Sequence, residues 1–427
     1  MTEQVAIIDA LRTPFCRAGG VYKDIDADDL GAQVVKELMA RTGFPKDQVE
    51  YLIFGNVLQP SHAANIARVI AVKAGLPISI PAHTVNRNCA SGMEAITEAA
   101  ELISTGKADA IIAGGTESMS NSPILFSRSM RDFLLRMSKA KTWTKRLSNL
   151  MSFRLSMLKP QMPELADPLC GLNMGQTAEL LSRDLHVTRA EQDLFALSSQ
   201  QRASEAMKKG FFDEEIVPIL LPPQFNLFQK VDDGIRGDQS LELLSNLKPV
   251  FDRYTGSVTA GTSSQITDGA AALLLVSESK ANALRITPKG FIRDYIYVGL
   301  DPSRMGLGPA IAIGKLLEKT SYKLSDFDLI EINEAFAAQV LACEKGMASV
   351  EFSKKYLNKD EAIGIIDPNR LNVNGGAISL GHPLGASGAR LVLTLLHELR
   401  RRKKRLGLAA LCVGGGQGAA VIVEAIL

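Results

Sequence analysis

Short apolar runs alternate with stretches of helical period along this chain. VEYLIFGNV (49–57) and ADAIIAGG (108–115) are short, largely apolar and close on turn residues, as parallel strands covered on both faces do. Between them, SGMEAITEAAELISTG sets Met93, Ile96, Ala100 and Ile103 on one helical face, with Gly106 where the helix should stop. The alternation predicts an α/β fold. The same pattern returns far along the chain. SGARLVLTLLHELRRRKK (387–404) reads as a second helix opened by Ser-Gly, and LGLAALCVGGG (406–416) as the strand after it. YLIFGN (51–56) corresponds to LIEIN (329–333), so Asn56 and Asn333 end matching strands. These correspondences divide the chain into two similar α/β halves, 1–120 with 175–280 and 288–427, around an inserted region, 121–174.

The insertion has a composition of its own. Phe126 to Pro160 holds nine Lys or Arg against the single acid Asp132, a local charge of +8 within a chain whose net charge is +2. Met130, Phe133, Leu134 and Met137 fall at helical spacing, as do Trp143, Leu147, Leu150 and Met151. A basic amphipathic helix pair of this kind suits an anionic membrane surface or a partner protein. The competing reading is a solvated flap that packs its apolar stripe on its own body.

At 427 residues the chain is long for one core, and two or three domains are expected. Hydrophobic (46%) and charged (22%) shares are those of a globular protein. Nothing in the charge distribution points to nucleic acid. The five cysteines, at 16, 89, 170, 343 and 412, are odd in number and lack metal-ligand spacing. Neither a disulfide framework nor a metal site is expected, and a reducing compartment fits. No run reaches the roughly 18 apolar residues a spanning helix needs. MTEQVAIIDALRTPF reads as neither a secretory signal nor a transit peptide. The expected location is cytoplasmic, peripheral to a membrane if the insertion binds one.

Cys89, in VNRNCASGMEAI, sits at a strand-to-helix junction. Free N–H groups and the positive helix end there should favour a thiolate and lower its pKa, and Ala90, Ser91 and Gly92 leave room for a substrate. A free cysteine is also commonly just a small core residue. A nucleophilic thiol needs a base, and the histidines are only five. His382 lies in NGGAISLGHPLGASGAR, whose glycine density before a helix says that the backbone comes close to a ligand or makes a tight turn. His397, beside Glu398 and Arg400, reads as a surface residue, and nothing requires His62 in QPSHAAN to act. Cys412 ends a strand before GGGQG. A strand-like segment follows rather than a helix, so a phosphate cradle is doubtful, and oxyanion stabilisation with proton transfer suits this loop better. Asn333, at a strand end in INEAFAAQ, could orient a water molecule.

The segments NCASG, NEAFA, GHPLGASG and CVGGGQG, in this order, resemble the thiolases. SVTAGTSSQITDGAAA (257–272) resembles that family's CoA-binding loop. The resemblance covers almost the whole chain and implies a layered α-β-α-β-α sandwich of two similar halves. It implies a 3-ketoacyl-CoA thiolase of fatty-acid β-oxidation that keeps no tightly bound cofactor and uses coenzyme A as co-substrate. Cys89 would be the nucleophile, His382 its base and Cys412 the second acid and base. His382 with a water held by Asn333 would form one oxyanion hole, and the N–H groups of Cys89 and Gly414 the other. Ser264, Met174, Ala335 and Phe336 would contact CoA. Thr262 and Asn173 depart from common Asn and His at positions expected to touch CoA. The insertion is similar to a loop of the thiolase subunit of the fatty-acid oxidation trifunctional complex. That similarity implies medium- or long-chain substrates, a hydratase/dehydrogenase partner chain and peripheral membrane contact, and the family implies a homodimer or larger homo-oligomer. A biosynthetic acetoacetyl-CoA thiolase and a non-catalytic lipid-binding homologue are the competing readings.

Overall fold

The structure, a computed structural model, describes residues 3–161 and 166–427. Residues 162–165 of the predicted insertion lie outside the described residues. In chain order the first half runs β1 (Val5–Arg12), α1 (Ala27–Thr42), β2 (Tyr51–Gly55), α2 (Ile66–Lys73), β3 (Ala82–Val85), α3 (Ser91–Ser104) and β4 (Ala110–Glu117). The helices α4 (Arg128–Lys139), α5 (Trp143–Met151), α6 (Met174–Asp184) and α7 (Arg189–Lys208) follow, before β5 (Thr267–Ser277) completes the first sheet. The second half holds β6 (Gly290–Gly299), α8 (Gly308–Thr320), β7 (Leu329–Ile332), α9 (Ala337–Met347), α10 (Leu384–Arg401), β8 (Leu406–Val413) and β9 (Gln417–Ala425).

The strands follow one path, β3-β2-β4-β5-β1 and then β6-β9-β8-β7. β1 meets β6 over three antiparallel pairs, Val5 with Ile292, Ala6 with Phe291 and Ile7 with Gly290. On each side of this seam the inner pairings are antiparallel and the outer ones parallel. Leu371 bridges Ile330 in parallel, taking the place β3 has in the first half. The duplication is therefore visible strand by strand.

The central layer is α3 and α10. α3 packs on β2 and β4, while α10 touches β4 and β5 on one side and β8 and β9 on the other. Met93 and Ile96, Leu391 and Leu395, and Ile111 and Leu411 share this core. α1 and α2 cover the outer face of the first half-sheet, and α8 and α9 that of the second. The result is the five-layer sandwich.

Double coverage corrects one expectation. His397 is buried, with Nε2 2.8 Å from the carbonyl oxygen of Ala10. α10 is buried from Gly385 to Leu399, so a helix with charges on one side need not show that side to water. Its buried charges are paired instead, Arg390 with Glu331 at 2.8 Å and Glu398 with Arg401 at 2.5 Å, because an unpaired buried charge is costly. α6 and α7, which the sequence reading gave to the first half, lie against α9 and the loop before His382.

The insertion divides by helix. Leu125–Phe126 pairs with Pro160–Gln161 at its base. α4 buries Met130 and Phe133, the latter 5.4 Å from the Phe153 ring. α5 buries none of its residues and leaves Trp143 74% and Met151 83% exposed. α4 thus buries part of its stripe within the insertion itself, with Leu134 exposed, and α5 leaves its stripe outside.

Where the halves meet over the central layer, side chains are absent. A Cβ on Gly92 or Gly115 would collide with the carbonyl oxygen of Gly385, and one on Gly385 with those of Gly55 and Thr116. Backbone on backbone has no flexible side chain to yield. Gly115→Ala is therefore expected to cost about 2–3 kcal/mol of stability through overpacking, read as a lower denaturation midpoint. An unchanged midpoint would show that this contact can open freely.

Candidate active site

Cys89 follows a tight turn. Asn88 stands at φ 46°, a region asparagine tolerates better than most residues, and donates from Nδ2 to the carbonyl oxygen of Gly414 at 2.8 Å. The Ser91 hydroxyl donates to the Asn88 carbonyl at 2.7 Å and accepts the Arg87 N–H at 2.9 Å. This closes the turn onto the first residue of α3. The backbone N–H groups of Gly414 and of Cys89 itself are directed at the Cys89 sulfur. They favour the thiolate, but burial outweighs them and the thiol pKa lies above its ordinary value. The expectation that the helix end would lower it is thus corrected: desolvation of the charged form is the larger effect here. Without help this cysteine is a thiol.

His382 supplies the help. Its Nδ1 lies 2.6 Å from Ser387 Oγ, whose own hydrogen goes to the Pro383 carbonyl at 3.0 Å. A hydroxyl has one hydrogen, so the ring must donate from Nδ1, and Nε2 carries the lone pair, which faces the Asn333 amide. Burial, assisted by the nearby Arg390 charge, pushes the His382 pKa down to about 4, which keeps the ring neutral. Asn333 Nδ2 is 3.4 Å from Nε2, while Asn333 Oδ1 is buried with no protein partner. Such a group calls for a water or ligand donor. Ser387 was missed in the sequence, where only its place in the Ser-Gly helix opening drew notice.

Two further buried acids hold these loops. Glu334 accepts from Ser199 at 2.7 Å, Asn372 at 2.9 Å and the Ile378 N–H at 3.2 Å, tying the Asn333 turn to the loop and short helix before His382. Asp167 accepts the Gly415 N–H at 2.7 Å and so anchors the loop after Cys412. Neither stood out in the sequence, because an acid that binds only backbone and neutral side chains leaves no charge pattern.

A cavity of about 320 Å³ gathers Cys89, His382 and Cys412. Met174, Ser264, Ala335 and Phe336 share its wall. Asn333 and Gly414 sit just behind, bonded to His382 and Cys89 as described. Cys412 is 1% exposed, and burial first, then the neighbouring Cys89 and Cys343, hold its thiol protonated. Asn173 also lines the cavity and caps α6, its side chain accepting the Gln176 N–H at 2.9 Å. Thr262 corrects the sequence reading. It is fully buried and turns its hydroxyl to the Thr259 N–H at 2.9 Å rather than lining the cavity. His62 lies half-exposed beside Asp28 at 3.1 Å, outside this wall.

Known proteins resemble the chain along nearly its whole length. Residues 5–279 match the family model described as thiolase, N-terminal domain, and residues 286–425 that of thiolase, C-terminal domain. The chain is 41% identical over 422 residues to the mitochondrial trifunctional enzyme subunit beta of Bos taurus, covering 99% of this chain and 88% of that one. It is 40% identical to a 3-ketoacyl-CoA thiolase of Yersinia enterocolitica, covering 99% and 97%. The crystal structure of human mitochondrial 3-ketoacyl-CoA thiolase in complex with CoA superposes with a TM-score of 0.84 at 36% identity, covering 100% of this chain and 98% of that one.

Removing the Ser387 hydroxyl leaves the buried Nδ1–H without its acceptor, a loss of about 1–3 kcal/mol that the other tautomer can relieve. Ser387→Ala should slow alkylation of Cys89 by iodoacetamide roughly tenfold at neutral pH. Parent-like alkylation, followed by mass spectrometry of the Cys89 peptide, would show that Ser387 does not orient the ring.

Proposed function

This chain belongs to the thiolase family, and we propose from that footing that Cys89, His382 and Cys412 are its reacting groups. The enzyme is an acyltransferase, a 3-ketoacyl-CoA thiolase that uses coenzyme A as co-substrate and needs no tightly bound cofactor. The observation that carries the site assignment is the convergence of two thiols and one neutral imidazole on a single apolar cavity.

The sequence of steps follows from the protonation states. Cys89 is a thiol until a base takes its proton, and His382 Nε2, held only by a long bond from Asn333 Nδ2, offers its lone pair on the same wall. As the sulfur attacks the 3-keto carbon, the proton passes to Nε2 and the oxygen gains charge. Cleavage of the C2–C3 bond returns that charge to a carbonyl, leaves the shortened acyl group on Cys89 and releases the acetyl-CoA enolate. Cys412, kept protonated by burial, gives its proton to that carbanion. The resulting thiolate then deprotonates the incoming CoA thiol, which attacks the acyl-enzyme; Cys89 leaves as a thiolate and takes back the proton held on His382 Nε2. The N–H groups of Cys89 and Gly414, which already favour negative charge on the sulfur, stabilise the oxyanion of the acyl-enzyme step. His382 with a water on the unpartnered Asn333 Oδ1 serves the other oxyanion. Ser264, Met174, Ala335 and Phe336 hold CoA along the wall.

The insertion supports the finer reading, in which medium- and long-chain substrates are cleaved at a membrane face in the company of a hydratase/dehydrogenase chain. α5 offers Trp143, Leu147 and Met151 to the outside within a segment of +8 charge, the combination that binds anionic interfaces. No helix among the described residues is long and apolar enough to cross a membrane, so the contact is peripheral. A cytoplasmic location and a homo-oligomeric state complete the proposal, the former on the five free cysteines.

Cys89→Ser should give no acyl-enzyme by mass spectrometry and lower kcat for thiolysis by at least about a thousandfold; thiolysis near the parent rate would refute the assignment. In the parent, sixteen-carbon 3-ketoacyl-CoA should turn over faster than the four-carbon substrate, and equal turnover would favour the biosynthetic acetoacetyl-CoA enzyme. Replacing Trp143, Leu147 and Met151 together by Glu should weaken sedimentation with phosphatidylglycerol vesicles roughly tenfold. Unchanged sedimentation would remove the membrane role.

A further inference from the structure

Glu117, the last residue of β4, is fully buried and makes four hydrogen bonds as an acceptor. Oε1 takes the Leu58 N–H at 2.9 Å and Asn56 Nδ2 at 3.1 Å, and Oε2 takes the Gly385 N–H at 2.8 Å and the Val57 N–H at 3.1 Å. Three of these donors belong to the turn after β2, in the half that carries Cys89. The fourth, Gly385, belongs to the first turn of α10, which directly follows the loop that carries His382. All four are uncharged, so this carboxylate is held by N–H groups alone.

Its position beside that loop is what matters. Gly385 lies three residues after His382 and two before Ser387, which accepts the ring's Nδ1–H. It is also the residue whose carbonyl oxygen sits against Gly92 and Gly115. A displacement of Gly385 therefore carries both the imidazole and its orienting hydroxyl relative to Cys89. We propose that Glu117 is a positioning residue of this site, a carboxylate clamp that fixes the His382 loop of one half against the Cys89 half through the Gly385 N–H.

Only a carboxylate satisfies all four donors, because a glutamine there turns an NH2 group toward two of them. Burial pushes Glu117 up to about 7, with Asp268 as the charged neighbour adding to the rise, while its N–H donors oppose it. The charge in turn acts on Cys89, for which Glu117 is one of the groups raising the thiol. Glu117 thus has two effects that separate experimentally, one on geometry and one on the thiol's titration.

The inference rests on the reading of Cys89 and His382 as the reacting pair. Misplacing a base by about 1 Å costs on the order of a hundredfold in rate. Glu117→Gln is expected to lower kcat for thiolysis by roughly that factor while KM for CoA stays within about twofold, since no CoA-lining residue bonds to Glu117. The pH midpoint for alkylation of Cys89 should move down, because a negative charge has been removed. Glu117→Asp, which keeps the charge, should return that midpoint toward the parent value and recover part of kcat. A Glu117→Gln enzyme with kcat within threefold of the parent, or with a superimposable alkylation profile, overturns the proposal. If that variant does not fold, Glu117→Asp decides by kcat against KM: a lowered kcat at constant KM supports the clamp, and parent kinetics overturn it. A parent that forms no acyl-enzyme on Cys89 would instead refute the underlying reading, whatever Glu117 does.

Discussion

The bare-backbone contact among Gly55, Gly92, Gly115 and Gly385 is the constraint on which the site depends. Cys89 belongs to the first half and His382 and Cys412 to the second, and each is delivered by a loop at a strand end or a helix start. For these loops to meet over one carbon atom, the elements behind them must approach more closely than side chains allow. Glycine is required at each position for lack of a Cβ rather than for any unusual φ. Glu117, Glu334 and Asp167 then tie down loops whose own residues are too small to pack.

Burial is the second theme, and it acts in one direction on every reacting group. It raises both thiols and depresses the imidazole, so the resting site holds neutral species throughout. A charged thiolate–imidazolium pair would be stabilised by solvent that the cavity excludes. The neutral state makes each proton available to the next step and leaves the oriented N–H groups as the main stabilisers of charge when it develops. The polar groups that remain are few and placed by hydrogen bonds, which is what a small apolar cavity needs if it is to be specific.

Most of the architecture was legible in the sequence because a parallel strand buried on both faces has a signature of its own. The strands at 51–55 and 406–413 fall inside the predicted runs, and the strand at 110–117 overlaps the run at 108–115 but continues two residues past it. Cys89, His382, Asn333 and Cys412 announced themselves through unusual residues at element ends. What the sequence hid depends on partners far along the chain. His397 looked solvated beside charged neighbours, yet α10 is covered by two sheets and its charges are paired inside. Cys89 looked activated by a helix end, yet desolvation in its partly buried pocket outweighs that local dipole. Ser387, Glu117 and Asp167 are ordinary residues until folding supplies their partners. Local periodicity cannot report any of these.

The central helix α10 also bears on how the polypeptide comes off the ribosome. Its 18 residues begin at Leu384, and they supply the wall against which the inner faces of both sheets close. Until that segment has been synthesised, the part of the β4 and β5 face that α3 does not cover stays exposed even though all strands of the first half already exist. Vectorial folding of the first half therefore stops short of a closed core, and the nascent chain carries an exposed hydrophobic surface until nearly its end, the kind of surface chaperones shield.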